Sequence, residues 1–133
     1  MHTNPPTFDL TNLARRAVFS DHWRWADGMR WYLPDPDGGS APVSRGIVGA
    51  DAPPPGAVCD LRDPDTVDLV AARVRYLFDN PELVAVYEES TCLYRIHLPD
   101  GRSTARYSPA GAWVGLLELF SYQVAMKFLG RSR

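Results

Sequence analysis

The sequence predicts a single α+β domain in which three helices pack on one side of a mostly antiparallel sheet, in the order α-β-β-(β)-α-β-β-β-α. Three segments repeat apolar residues at helical spacing, and short strand-like segments with turn residues lie between them. A chain of 133 residues with 45% apolar residues is long enough for one hydrophobic core. We therefore expect residues 1–133 to form one domain, with a Pro/Gly-rich loop at about residues 34–56.

The first predicted helix covers about Asp9 to Ser20. Its apolar residues recur at spacings of three and four and so share one helix face: Leu10, Leu13, Ala14, Ala17 and Val18. Asp9 is the expected N-cap. Phe8 and Leu13 have the spacing of a hydrophobic staple.

Aromatic residues are concentrated after this helix, on both sides of an Asp-Gly turn signal at residues 27–28. Trp23 and Trp25 precede the turn and Trp31 follows it, which predicts a β-hairpin. Residues 34–56 then hold six of the twelve prolines and five of the ten glycines, a composition typical of a long loop. A short strand around residues 43–48 is expected to interrupt this loop.

The second helix has a strong start signal, in which Asp63 is the expected N-cap and Pro64 occupies the first helical position. Apolar residues follow at helical spacing, and Asn80-Pro81 ends the run. Residues 83–88, 92–98 and 102–107 then alternate in the way that predicts a three-stranded meander, with Cys92 on its core face.

The third helix begins with Ser108 as the cap and Pro109 at the first position, and it continues to about Gly130. Its apolar stripe predicts one long buried face: Trp113, Leu116, Leu117, Phe120, Val124 and Phe128. A helix of this kind also permits a homodimer.

The charge distribution along the chain favours a protein partner over nucleic acid. The formal net charge is -2, whereas a dedicated nucleic-acid binder is usually strongly basic. Residues 33–70 contain seven acidic and two basic residues, a net charge of -5. The leading hypothesis places partner-binding carboxylates in this segment, which a basic protein surface would contact: Asp35, Asp37, Asp51 and Asp65.

Two alternatives belong to other functional classes. The first is a nucleic-acid-binding surface that combines base-stacking indoles with guanidinium groups: Trp23, Trp25, Arg30, Trp31, Arg102 and Arg106. The second is a small hydrolase in which Cys59 or Cys92 meets a histidine that the sequence does not place beside it. Because no coherent catalytic set is visible, we expect a non-catalytic protein.

Motifs for cofactors, metals and membranes are not found in the sequence. Asp35 and Asp37 resemble the opening of a calcium loop, but Gly46 stands where that loop needs a bidentate glutamate, so a turn is favoured. The glycines fit neither the dinucleotide nor the Walker spacing. With no secretory signal pattern and no apolar span free of polar residues, we expect a cytoplasmic protein without cofactor or metal.

Two motifs carry a resemblance to known proteins. The segment Trp23-Arg24-Trp25-Ala26-Asp27-Gly28-Met29-Arg30 is followed by Asp60-Leu61-Arg62-Asp63-Pro64-Asp65-Thr66. The chain thereby resembles a group of small uncharacterised phage and prophage proteins with a W-R-W-x-x-G-M opening and a D-L-x-D-P-x-T helix start. The resemblance carries no activity. It implies an accessory protein inside a bacterial host, for which inhibition of a host defence component is the plausible role.

Overall fold

The computed structural model describes residues 10–38 and 41–131. In chain order the elements are α1 (Leu10–Phe19), β1 (Arg30–Leu33), β2 (Ser44–Ile47), β3 (Val58–Cys59), α2 (Pro64–Leu77), β4 (Val86–Glu88), β5 (Leu93–His97), β6 (Ser103–Arg106) and α3 (Pro109–Arg131). The α+β class and the order of elements are confirmed. Helix α1 also agrees with the prediction, while its expected cap Asp9 and the staple residue Phe8 lie outside the described residues.

The six strands form two antiparallel sheets of three strands each, where the sequence predicts one sheet. The second sheet, in the order β4-β5-β6, is the predicted meander. The first sheet has the order β2-β1-β3 and joins strands that are distant along the chain. In its centre Trp31 lies opposite Gly46 on one neighbour and Cys59 on the other. The Trp31 indole covers Gly46 so closely that a Cβ there would lie 2.6 Å from a ring carbon.

The predicted hairpin across residues 27–28 is wrong. A turn does form there, with Gly28 at φ 91°, but residues 23–26 are not a strand. Strand β1 pairs instead with β2, which confirms the short strand expected within the long loop. The Gly28 N–H donates to the carbonyl of Val48 (3.0 Å), so the turn serves the β1–β2 pair.

The start of α2 is capped as predicted, and the same residues tie it to β1. The Asp63 carboxylate accepts the backbone N–H of Thr66 at 3.1 Å and its hydroxyl at 2.7 Å. The buried Thr66 hydroxyl oxygen accepts the Arg30 N–H at 2.9 Å, and the Asp60 N–H donates to the Arg30 carbonyl at 2.8 Å. Arg30 and the segment 60–66 belong to the two motifs that carry the resemblance. These motifs therefore meet and hold the fold together.

The core is formed around the first half of α3. This half is buried on all sides, since it contacts α1, α2 and the second sheet: Ala110, Ala112, Trp113, Val114, Leu116 and Leu117. Two expectations fail at the edges of the core. Cys92 is exposed in the β4–β5 turn, at φ 58°, because the turn reaches it before the strand begins. Val124 and Phe128 are exposed because, among the residues that the structure describes, no other element covers them.

Candidate functional site

The four carboxylates predicted to bind a partner, here called the acidic rim (Asp35, Asp37, Asp51 and Asp65), lie around the first sheet. Asp35 and Asp37 follow β1, Asp51 follows β2, and Asp65 lies in the first turn of α2. Asp37, Asp51 and Asp65 are exposed, and Asp35 is half-buried. An Asx turn fixes the first pair, because the Asp37 N–H donates to Asp35 Oδ1 at 2.9 Å.

The register of the first sheet separates the acidic rim into two groups. Asp35 and Asp37 lie beyond the Leu33 end of β1, whereas β2 leads to Asp51 and the α2 start carries Asp65 at the Arg30 end. The two ends are about 10 Å apart, from a rise of about 3.3 Å per residue. The rim is therefore extended, and it suits a broad partner surface better than a single small ligand.

Other acidic residues of this segment are used within the fold. Asp60 lies 3.4 Å from Arg62, and Asp63 caps α2 and lies 3.7 Å from Arg30. Within the described residues, the Asp37, Asp51 and Asp65 carboxylates have no ion-pair partner. These three carboxylates are therefore available to another molecule.

The indoles of the predicted nucleic-acid surface are largely occupied. Trp23 and Trp25 pack against the core and meet edge to face, with ring centroids 5.3 Å apart. Trp31 is half-buried over Gly46. Because stacking on a base needs an open ring face, these indoles are poorly placed to form a continuous platform.

The arginines of the same set lie in different parts of the fold. Arg30 pairs with Asp63 in the first sheet, and Arg102 pairs with Asp100 beside the second. The Arg106 side chain lies against α3, where it would contact a Cβ added at Gly111 or Gly115. In the described part of the chain, no arginine of the set stacks on one of its indoles.

In the part of the chain that the structure describes, the two thiols do not form the cysteine–histidine pair that a hydrolase would need. Cys59 is buried, and burial raises its pKa to about 12, so its thiolate is absent at neutral pH. Cys92 is exposed and its thiol is 3.7 Å from the carbonyl of Glu89. Among the described residues neither thiol contacts a histidine.

A histidine contacts one of two paired serine hydroxyl groups between α1 and α3, an arrangement that the sequence did not reveal. Ser121 Oγ lies 3.0 Å from His22 Nδ1, 2.9 Å from Ser20 Oγ and 3.2 Å from the Leu117 carbonyl. A hydroxyl has one proton, and the Leu117 carbonyl accepts it at a normal helical distance. Ser121 lies within α3, where the helix uses the surrounding backbone N–H groups in its own hydrogen bonds. The cluster joins the end of α1 to α3.

The second half of α3, here called the α3 extension (residues 119–129), is an exposed surface that its apolar stripe did not predict. Apolar side chains surround it, since only Ser121, Gln123 and Lys127 are polar in this range. Tyr122, Val124, Met126, Phe128 and Leu129 are all exposed. A helix that buries one face normally has polar residues on the opposite face. The apolar residues on every side of residues 119–129 could therefore have identified this exposed surface from the sequence.

Two open grooves flank the base of the α3 extension. The first lies between α1 and α3, has a volume of about 710 Å³, and includes Phe19, Arg16 and Ser121 in its lining. Arg16 closes one side through paired contacts with Glu118, of which the Nε–Oε2 distance is 3.1 Å. The second groove, of about 810 Å³, lies between α2 and α3 and includes Tyr76 and Phe120.

Comparison of the chain with protein-family models, curated proteins and solved structures finds no match. Across residues 10–38 and 41–131, no group of three acidic, histidine or cysteine residues is arranged to hold a metal ion. In the same ranges, no helix has both the length and the apolarity to cross a bilayer. The acidic rim and the α3 extension are the surfaces on which a functional argument can rest.

Proposed function

We propose that the protein is a non-catalytic binding module that recognises a basic surface of another protein through its acidic rim. The observation that carries the proposal is the contrast within one acidic segment. Asp60 and Asp63 are used in ion pairs and a helix cap, whereas the exposed carboxylates of Asp37, Asp51 and Asp65 have no ion-pair partner among the described residues. Complementary charges of this kind favour encounter and fix orientation on a partner.

The biological setting of the proposal follows from the resemblance alone. A phage or prophage accessory protein acts in the cytoplasm of a bacterial host, where a component of antiviral defence is the proposed target. A target that binds nucleic acid would present a basic surface. An acidic rim that covers such a surface would block it.

The test is capture of a partner from nuclease-treated bacterial lysate by the tagged protein, read by mass spectrometry. A triple variant, Asp37→Lys/Asp51→Lys/Asp65→Lys, removes the available carboxylates and leaves Asp35 to hold its turn. We expect this variant to lose the partner that the unaltered chain retains, and we expect added salt to weaken the complex. Nuclease treatment removes proteins that nucleic acid alone would bridge.

A matched control makes the same change in net charge at exposed acidic residues elsewhere: Asp27→Lys/Glu82→Lys/Glu89→Lys. The control is expected to keep the partner. If both variants lose the partner equally, the loss results from the change in net charge alone. If both variants keep the partner, the acidic rim is not the contact surface. Either result contradicts the proposal.

A further inference from the structure

The α3 extension and the two grooves beside it together expose an apolar surface at the upper end of the range for an isolated chain. Phe19, Tyr76, Tyr122 and Phe128 are 82%, 76%, 63% and 75% exposed. At about 200 Å² for each ring-bearing side chain, these four residues alone expose roughly 600 Å². The largest apolar patch on a typical monomer is about 300–600 Å².

Helical spacing places these side chains on one continuous surface. Phe19 lines a groove with Ser121, and Val124 and Phe128 follow Ser121 at three and seven positions, on the same side of α3. Tyr76 lines the other groove with Phe120, one turn before Val124. Tyr122, Met126 and Leu129 continue the apolar surface around the helix.

A helical segment of eleven residues is marginally stable in water without packing partners. Phe120 and Ser121 still contact His22, but most side chains from Tyr122 onward are exposed and remain apolar. Such a helix is stabilised when its apolar side chains pack against another surface.

We infer that the other surface belongs to a second copy of this chain, with the α3 extensions of the two copies packed together and against the flanking grooves. The available area fits this occupant, because Val124, Met126 and Leu129 add to the aromatic area and bring it near the roughly 800 Å² per partner of a standard interface. The surface also has both ridges and grooves, as a two-fold interface requires when the same surface serves both partners.

The charges around the α3 extension are also compatible with self-association. Lys127 is the only charged side chain between residues 119 and 129. The grooves contain both signs, with Arg15 and Asp21 on one and Arg75 and Asp79 on the other. Two copies would therefore meet without strong repulsion between like charges. The acidic rim lies around the first sheet and remains available.

The test is sedimentation equilibrium of the full chain over a concentration series. We expect a dimer for the unaltered protein and a dissociation constant at least about 30-fold higher for Phe128→Glu, the effect of losing a central interface residue. Tyr122→Glu is a second variant with the same expectation. Both side chains are exposed. At a concentration where all chains are monomeric, each variant should therefore have the same circular dichroism spectrum and unfolding midpoint as the unaltered protein.

Val43→Glu is the matched control, because Val43 is an exposed apolar residue beside the first sheet, far along the chain from α3. It should dimerise like the unaltered chain, and so should the triple variant of the acidic rim. A monomer at every concentration, or a dimer unaffected by both α3 substitutions, would overturn the inference. If the chain is a monomer and binds phosphatidylcholine vesicles, the surface binds a lipid bilayer instead of a second copy. If the chain is a monomer and does not bind vesicles, the surface binds a different protein.

Discussion

Replacement of Thr66 by valine tests the link between β1 and α2. The Thr66 hydroxyl is fully buried, donates to Asp63 Oδ2 at 2.7 Å and accepts the Arg30 N–H at 2.9 Å. Valine has nearly the same shape, so Thr66→Val keeps the packing and removes both hydrogen bonds. The measured loss therefore reports the polar contacts rather than a cavity.

The size of the loss follows from the two groups that are left without partners. The Arg30 N–H loses its acceptor, and an unsatisfied buried donor costs about 1–3 kcal/mol. The Asp63 carboxylate loses a hydroxyl donor, and hydrogen bonds to charged groups are worth about 1.5–3 kcal/mol. Asp63 still accepts the backbone N–H of Thr66, and the lost bond from the Arg30 N–H is only partly buried, so the loss is smaller than the sum of the upper values. We therefore expect the free energy of unfolding to fall by about 2–4 kcal/mol.

Urea unfolding followed by tryptophan fluorescence measures this change, with an unchanged m value as evidence that only stability has altered. Thr66→Ser is the control, because it keeps the hydroxyl and removes one methyl group, at a cost of about 1 kcal/mol. If Thr66→Val lies within about 0.5 kcal/mol of the unaltered protein, the usual range for an exposed position, the hydrogen-bond argument is wrong.

Two further predictions concern close packing and thiol chemistry. Gly46→Ala places a Cβ 2.6 Å from the Trp31 ring and should lower the free energy of unfolding by about 1–3 kcal/mol with a shift in fluorescence, whereas Gly49→Ala, with open space around it, should not. A thiol reagent at about pH 8 should modify Cys92 in the folded chain, and Cys59 only after unfolding, because burial raises the Cys59 pKa to about 12. Rapid modification of both thiols in the folded state would contradict this protection.

Elements with local signals were predictable from the sequence. The start of α2 depends on Asp63, Pro64 and Thr66, which lie within four residues of one another, and the structure forms the predicted cap. The meander depends on alternation within each strand and on short turns between them, which are equally local. Residues close together in the sequence are therefore sufficient to predict the start of α2 and the strands of the meander.

Elements that depend on distant partners were not predictable. Strand β3 has two residues, Val58–Cys59, which is too short for any periodicity, and it exists because Trp31 and Tyr32 pair with it. The aromatic residues before the turn at 27–28 have strand-forming composition, but Trp23 and Trp25 meet each other and the core. Propensity is overridden there by packing.

The candidate site was predictable from the sequence only in part. The acidic segment is visible in composition, but which carboxylates are available depends on Arg30 and Arg62, whose positions only the fold supplies. Helical spacing predicted that α3 buries Val124 and Phe128, since spacing shows which residues share a face but not whether another element covers it.

The two proposed interfaces would contribute different amounts of binding free energy. An exposed ion pair contributes about 0.2–1 kcal/mol, so three carboxylates of the acidic rim supply at most about 3 kcal/mol. That is enough to orient a basic partner and to speed its encounter, but too little for stable binding by itself. Two copies joined through α3 would present two rims on one particle, and the second contact would then form at a high effective concentration. Self-association would thus let a surface of weak individual contacts hold a partner that carries repeated basic sites.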